Sequence, residues 1–160
     1  MNFLKKNKEH FIIDTTFVDT PNLTKNKYNG FKHRKGSKLT FLINSKKEIF
    51  CFELLDGNKN DIKSFSTKIK TVLSKFKPNF FYGDKAYDSK NIKNFLNHRK
   101  IKPRIHEKRK SNNQKFKKKR VLIEHFFGNL KQFKEVRRSY FRKEANYLFS
   151  VKLALVLMSF

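Results

Sequence analysis

The stretch FIIDTTFV, residues 11–18, carries the clearest structural signal in this sequence. Its β-branched and aromatic residues predict a strand, and its apolar residues occupy odd and even positions alike, which is typical of a strand buried on both faces. Asp14 interrupts this apolar run. Because burying a carboxylate is costly unless a cation or hydrogen bonds compensate, Asp14 needs a partner from elsewhere in the fold.

The segments after this strand predict a mixed sheet covered by helices. Further strands are predicted at 38–44, 49–55, 80–82 and 104–105, and helices at 62–76, after Asp88 or Ser89, at 118–137 and from 143 onward. Asn60 or Asp61 is the predicted N-cap of the first helix, residues 19–37 are a predicted loop, and the basic segment 107–119 is predicted to be mobile. A hairpin followed by helix-linked strands favours an α/β layer structure.

The composition is strongly basic but compatible with a folded domain. Lysine and arginine total 39 against 13 acidic residues, a formal net charge of +26. The 19 Phe and 5 Tyr can supply a hydrophobic core, which argues against a disordered chain. Such a charge indicates a polyanionic partner, most simply nucleic acid. Lysines outnumber arginines 31 to 8, a bias typical of AT-rich codon usage, so some of these lysines have no specific role.

The termini and the single cysteine indicate where the protein works. Cys51 alone excludes a disulfide framework or a cysteine-based zinc site. Residues 1–10 lack the apolar segment of a secretory signal. The apolar stretch 151–160 is shorter than the roughly 18–20 residues that cross a membrane. We therefore expect a soluble intracellular protein, cytoplasmic and associated with the nucleoid rather than with a membrane.

Three acidic residues stand in apolar surroundings on separate predicted elements. Asp14 lies within the first strand, Asp84 closes NFFYGD, and Glu124 lies within VLIEHFF. Each could form its own structural salt bridge, since cations are abundant. Alternatively, the three could share divalent cations, because carboxylate oxygens suit Mg²⁺ or Mn²⁺ and a pair of such ions about 3.5–4 Å apart promotes phosphodiester chemistry. Position alone leaves both interpretations open.

The helix around Glu124 carries cations on the same side. Arg120, Glu124 and Lys131 fall within roughly 40° of one another at about 100° per residue. Gly128, one turn beyond Glu124, leaves that stripe open to a close approach. A simple ion pair between Arg120 and Glu124 on a solvated face would also explain part of the spacing.

These residues carry a resemblance to a known family. Ile13-Asp14-Thr15-Thr16, the block GDKAYDS at 83–89, and Arg120-x3-Glu124-x6-Lys131 resemble, in order, the three motifs of DDE transposases of bacterial insertion sequences, in the broad group numbered four and five. The segment 58–61 is similar to a turn of the same family. The sequence departs from the family pattern at Lys117, which stands where the family has Tyr, at Ala86 instead of Gly, and at Asn60 instead of His.

The resemblance implies a fold and a chemistry. It implies an α/β, ribonuclease-H-like fold with a mixed five-stranded sheet and flanking helices, as a single catalytic domain over 1–160 with a lead-in at 1–10. Complete members of the family carry an N-terminal DNA-binding domain, and because only about ten residues precede the first strand, we expect that domain to be absent here. It implies Asp14, Asp84 and Glu124 as catalytic ligands of two Mg²⁺ ions, with Mn²⁺ as a substitute. The reaction would be DNA strand cleavage followed by strand transfer.

The resemblance and the basic charge together predict the partners. Double-stranded DNA, both element ends and target, is the expected substrate, with self-association on DNA and a separately encoded N-terminal transposase half as further partners. The candidate DNA contacts are Arg120, Lys131, Lys85, Arg34 and Arg137, and the basic segments are 25–38, 108–119 and 137–142. Two other functions remain compatible with the sequence: a catalytically inactive transposase fragment acting as a regulator, and a basic nucleic-acid-binding protein.

Overall fold

The computed structural model describes residues 10–105 and 114–159, with side chains in the second range from Val121 onward. Within these ranges the strands are β1 His10–Val18, β2 Lys27–Asn29, β3 Arg34–Asn44, β4 Ile49–Asp56, β5 Phe80–Gly83 and β6 Lys102–Ile105. The helices are α1 Thr67–Phe76, α2 Lys90–His98, α3 Gln114–Leu130, α4 Lys134–Arg137 and α5 Glu144–Leu157. Residues 107–113 of the predicted mobile segment lie outside the described residues, whereas residues 114–119 belong to α3, which begins four residues earlier than predicted.

Among the described residues, six strands form one mixed sheet, one more than the five predicted: five lie in the order β4-β3-β1-β5-β6, and β2 pairs with the beginning of β3. β1 pairs antiparallel with β3 and parallel with β5, and β5 pairs parallel with β6. The parallel pairs arise because a helix separates β5 from the hairpin before it and β6 from β5, and a parallel neighbour requires such a crossover. The prediction of a mixed sheet with flanking helices is confirmed.

The predicted loop at 19–37 was wrong in part. The short strand β2 pairs antiparallel with the first residues of β3, Arg34–Gly36, while β4 pairs with β3 from Ser37 onward. The segment lacks apolar alternation, which is why a strand was not predicted there. Its pairing is stabilised by tertiary contacts, since Gly57 at the end of β4 donates its N–H to the Lys25 carbonyl.

Two helix boundaries also differ from prediction. Residues Asp61–Ser64 form a separate 3-10 turn, and α1 begins at Thr67, where Ser66 caps the helix by accepting the Ile69 N–H. The predicted helix at 118–137 ends at Leu130, because the next hydrogen bonds tighten to three-residue spacing, as from the Phe133 N–H to the Leu130 carbonyl. This break turns the chain into the short helix α4.

The sheet is buried on both faces, as the pattern of residues 11–18 predicts. Ile12 belongs to the core cluster beneath α3 and α5, together with Phe41 and Ile123. Phe11 and Ile13 belong to the opposite cluster, beneath α1 and α2. Because side chains alternate along a strand, β1 therefore contributes to both cores.

Helix α5 is apolar on two sides. Its buried face packs on the core through Tyr147, Val151 and Ala154, whereas Phe149 and Leu153 are exposed. In the part of the chain that the structure describes, no helix combines the length and the apolar character that crossing a membrane requires.

Several turns place non-glycine residues in the left-handed region of backbone space. Four of the described residues have positive φ angles: His33 before β3, Lys47 in the β3–β4 turn, Lys77 after α1 and Lys100 after α2. Among the described glycines, none has a positive φ.

Candidate active site

Asp14 lies on β1, and Asp84 directly follows the adjacent parallel strand β5. Ile12 of β1 pairs with Tyr82 of β5, and each aspartate follows two residues later in its own segment. Side chains alternate along a strand, so both carboxylates are expected on the same face as Ile12 and Tyr82, which is the face that α3 covers. Neighbouring strands are about 4.8 Å apart, so this register makes the two carboxylates neighbours.

A small pocket joins these aspartates to α3. Its lining residues come from β1, from the end of β5 and from α3: Ile12, Ile13, Asp14, Tyr82, Gly83, Asp84 and Ile123. Both aspartates are half-buried. The carboxylates are oriented locally, since Asp14 accepts the Thr15 N–H at 2.8 Å and Asp84 accepts the Ala86 N–H at 2.9 Å. The pocket thus presents two oriented carboxylates in mainly apolar walls.

Glu124 lies beside the pocket rather than in its lining. It follows Ile123 on α3, which packs against β1, but its own side chain is exposed. The expectation that a buried carboxylate needs a compensating partner therefore holds for the two half-buried aspartates and not for Glu124. Over residues 10–105 and 114–159, no three His, Cys, Asp or Glu side chains are close enough to form a metal-holding group. The structure brings two of the predicted ligands together and leaves the third on the adjoining helix.

The chemistry of the donors nonetheless fits a hard divalent cation. Asp14 and Asp84 offer carboxylate oxygens in one pocket, and oxygen is the ligand type that Mg²⁺ and Mn²⁺ prefer. The other lining side chains are hydrocarbon, a tyrosine or glycine, so the carboxylates dominate the coordination chemistry of the pocket.

A hydroxyl network behind the pocket was missed by the sequence analysis. The Tyr87 hydroxyl lies 2.9 Å from that of Thr15 and 3.1 Å from that of Ser64, and the Thr15 hydroxyl lies 2.7 Å from that of Thr40. Tyr87 is completely buried, and burial raises the pKa of its phenol far above the usual range, so it stays protonated. The motif GDKAYDS contains this tyrosine, but only the folded chain shows what it contacts.

Two of the predicted DNA contacts lie in one cationic cluster, formed by Lys32, Arg34 and Lys131. Burial lowers the pKa of Lys131, and the nearby charges of Lys32 and Arg34 lower it further, while Asp19 opposes them. Arg34 lies 3.2 Å from the Asp19 carboxylate and 5.1 Å above the centre of the Phe17 ring. Arg34 therefore links the beginning of β3 to the end of β1, a contact that the sequence did not predict.

The remaining predicted contacts are less clustered. Arg137 is exposed on α4, and its carbonyl accepts the Asp19 N–H at 3.0 Å, which places α4 beside the end of β1. Lys85 is exposed in the turn directly after Asp84. Arg120 lies in α3, but its side chain and that of Lys117 fall outside the described part of the structure.

The fold and the pocket define a ribonuclease-H-like domain with carboxylates on adjacent strands, and structural comparison supports this class. A chain in the cryo-EM structure of the simian T-cell lymphotropic virus intasome in complex with PP2A regulatory subunit B56 gamma matches with a TM-score of 0.58 and 12% identity. That match covers 89% of this chain and 46% of the other, so this chain spans about half of that relative. The catalytic core domain of BIV integrase matches with a TM-score of 0.52 and 12% identity, covering 92% of this chain and 80% of the core domain.

Sequence comparison then assigns the family. A model described as the transposase DDE domain matches residues 5–159, nearly the whole chain. The chain belongs to the transposase DDE domain family. No curated protein sequence matches it significantly.

Proposed function

We propose that this chain catalyses metal-dependent phosphoryl transfer on DNA, cutting a strand and joining the freed 3′-hydroxyl to target DNA. The observation that carries the proposal is that Asp14 on β1 and Asp84, directly after the adjacent parallel strand β5, line one pocket with α3 against it. The family match over 5–159 supports the same chemistry.

The proposed ligands are Asp14, Asp84 and Glu124, which would hold two Mg²⁺ ions, or Mn²⁺ as a substitute. When bound, such ions supply Lewis acidity at the scissile phosphate and an activated water. The backbone amides of Thr15 and Ala86 keep the two aspartates oriented. Glu124 is exposed on α3 next to Ile123, which lines the pocket, so it would complete the ligand set from the helix.

The cations of the chain would hold the DNA backbone. Arg34 and Lys131 already lie in one cluster with Lys32 near α3, which suits a row of phosphates. Lys85, Arg120 and Arg137 are proposed as further contacts to DNA phosphates because they are positively charged. Double-stranded element ends and target DNA are the proposed substrates, and self-association on DNA and a separate N-terminal transposase half are the proposed partners. Membership of the insertion-sequence groups four and five also remains a proposal.

The decisive experiment compares two acidic residues of the same turn. Asp84→Asn should abolish Mg²⁺-dependent nicking of DNA while leaving DNA binding unchanged, because the amide cannot replace the charged ligand. Asp88→Asn is the matched control, since Asp88 is exposed and forms an ion pair with Lys93 at 2.6 Å. Nicking by folded Asp84→Asn protein would show that the ligand assignment is wrong.

The unsubstituted chain tests the rival function. If it binds DNA but cuts none with either Mg²⁺ or Mn²⁺, its own catalytic activity is disproved, and a role as an inactive regulator is the better description.

A further inference from the structure

The turn between β2 and β3 displays a phenylalanine to solvent. Phe31 is 93% exposed, the highest value among the large apolar side chains of the described residues. A phenylalanine in this position does not contribute to the core of the chain. Single exposed apolar side chains are common on protein surfaces, so the setting of Phe31, and not its exposure alone, indicates a role.

The turn is held in shape by a buried asparagine. The Asn29 side chain is 5% exposed, and its Oδ1 accepts the N–H groups of Phe31 and Lys32, each at 3.0 Å. Its Nδ2 donates to the Gly57 carbonyl at 2.7 Å, which fastens the turn to the end of β4. Asparagine is suited to this role because its short amide bonds backbone groups two and three residues on. Phe31 is therefore presented by an ordered turn.

Positively charged residues flank Phe31 in the β2–β3 hairpin. The neighbouring exposed cations are Lys27, Lys32, Arg34 and Lys35. Lys32 and Arg34 lie close enough to Lys131 to influence its ionisation. Lys131 is seven residues from Glu124, which is about 10 Å along a helix. The cations of this turn therefore act together with Lys131, directly after α3.

We propose that Phe31 stacks on an unpaired base of the bound DNA, while the cations that flank it in the hairpin hold the backbone. This inference rests on the proposed function insofar as DNA is the ligand. Aromatic rings stack on the face of any base, and cations beside the ring bind the phosphates that accompany it. A paired duplex hides its base faces, whereas an unpaired base offers one. The basic surroundings favour a nucleic acid over an apolar peptide.

The test measures binding of the full chain to two short duplexes without any divalent cation. One duplex is fully paired, and the other carries 2-aminopurine opposite an abasic site, so that one base is unpaired. Phe31→Ala should weaken binding to the unpaired probe about 5- to 150-fold, the range expected for loss of one stacked base. Its affinity for the paired probe should change by no more than about 2-fold. The unsubstituted chain should quench the 2-aminopurine fluorescence, and Phe31→Trp should retain this quenching.

The control is Phe149→Ala, which removes another exposed phenylalanine from α5. It should leave binding to both probes unchanged. The inference is overturned if Phe31→Ala binds the unpaired probe as the unsubstituted chain does, or loses affinity for both probes equally. Thermal unfolding of each variant verifies that the fold is intact, as expected for exposed positions.

This experiment separates the stacking from the catalysis. Because no divalent cation is present, stacking can be observed even if the chain never cuts DNA, which would refute the proposed activity alone. Conversely, a chain that nicks DNA normally but shows no dependence on Phe31 refutes the stacking alone.

Discussion

The phenolic hydroxyl of Tyr87 lies 2.9 Å from the hydroxyl of Thr15, and this bond links the segment after Asp84 to the strand that carries Asp14. Thr15 is the residue after one candidate ligand, and Tyr87 is three residues after the other. Ser64 bonds to the same phenol at 3.1 Å from the 3-10 turn. The network therefore helps to set how close the two carboxylate-bearing segments lie.

Removing this phenol should destabilise the fold. Tyr87→Phe leaves the hydroxyls of Thr15 and Ser64 without their shared partner in a buried site, which is expected to cost about 1–3 kcal/mol. For a chain of this size each kcal/mol lowers the melting temperature by about 2–4 °C. Thermal unfolding measures the change, with Tyr140→Phe at an exposed site as the control. Equal melting of both variants would show that the network adds no stability.

Lys131 should make stability depend on pH in the alkaline range. Burial, then Lys32 and Arg34, hold its pKa below the usual 10.5, with Asp19 acting in the opposite direction. Between the lowered pKa and 10.5 the unfolded chain binds more protons than the folded chain, so the free energy of unfolding rises with pH in this range. The charged lysine therefore destabilises the fold at neutral pH, and this effect disappears at high pH. Lys131→Met should therefore raise the melting temperature at pH 7, and the gain should shrink as the pH approaches 10.5.

The control for this variant is Lys134→Met, which removes one positive charge from an exposed site on α4. A gain of the same size and pH dependence in both variants would show that net charge, and not the setting of Lys131, is responsible.

The same substitution should weaken DNA binding. If Lys131 contacts one phosphate, Lys131→Met reduces the slope of log affinity against log salt concentration by about one. A salt titration of binding to paired DNA measures this slope. An unchanged slope would contradict the contact, whatever the effect on stability.

Two glycines should respond in opposite ways to alanine. A Cβ at Gly57 would approach the carbonyl oxygens of Gly36 and Lys27 far inside van der Waals contact, so Gly57→Ala must displace backbone and should destabilise the chain. A Cβ at Gly128 meets nothing within 4 Å, and alanine in a helix is favoured over glycine by about 0.5–1 kcal/mol. Gly128→Ala should therefore melt higher, and Gly57→Ala lower, than the unsubstituted chain. Equal melting points would contradict both expectations.

Gly128 also allows a check on the DNA surface. If the stripe of α3 beyond Glu124 receives DNA closely, Gly128→Ala should bind DNA more weakly although it is more stable. Unchanged binding would exclude a close approach at that position.

Strong local patterns made much of the fold predictable. β-branched and aromatic residues predict strands in the apolar run of 11–18 and in the hairpin that follows, and the structure has β1, β3 and β4 there. β2 was not predictable, because its residues, Lys-Tyr-Asn, carry no apolar alternation and pair through contacts with distant segments. The break after Leu130 was also not predictable, because no proline follows it and the nearby Gly128 lies within α3 itself.

The two aspartates of the candidate site could be picked out from the sequence because carboxylates are unexpected in apolar segments. Asp14 and Asp84 attract notice within apolar segments, and the register of β1 and β5 brings their segments together. Glu124 attracts notice in the same way, yet its side chain is exposed, since one helix turn presents residues to both core and solvent. The Tyr87 network and the cluster at Lys131 depend on segments far apart in the chain, so local sequence carried no signal for them.

The lysines with positive φ affect the stability of the chain and how well it tolerates mutation. In the described residues the left-handed positions hold Lys47, Lys77, Lys100 and His33, while no glycine occupies one. A side chain in this conformation costs about 1–2 kcal/mol, and glycine would avoid most of that cost. Lys77→Gly should thus raise the melting temperature, whereas Lys75→Gly inside α1 should lower it. A bias towards adenine-rich codons can therefore place lysine where glycine would be more stable. Each such turn lowers the stability of the fold, so the chain tolerates less destabilisation from further mutations.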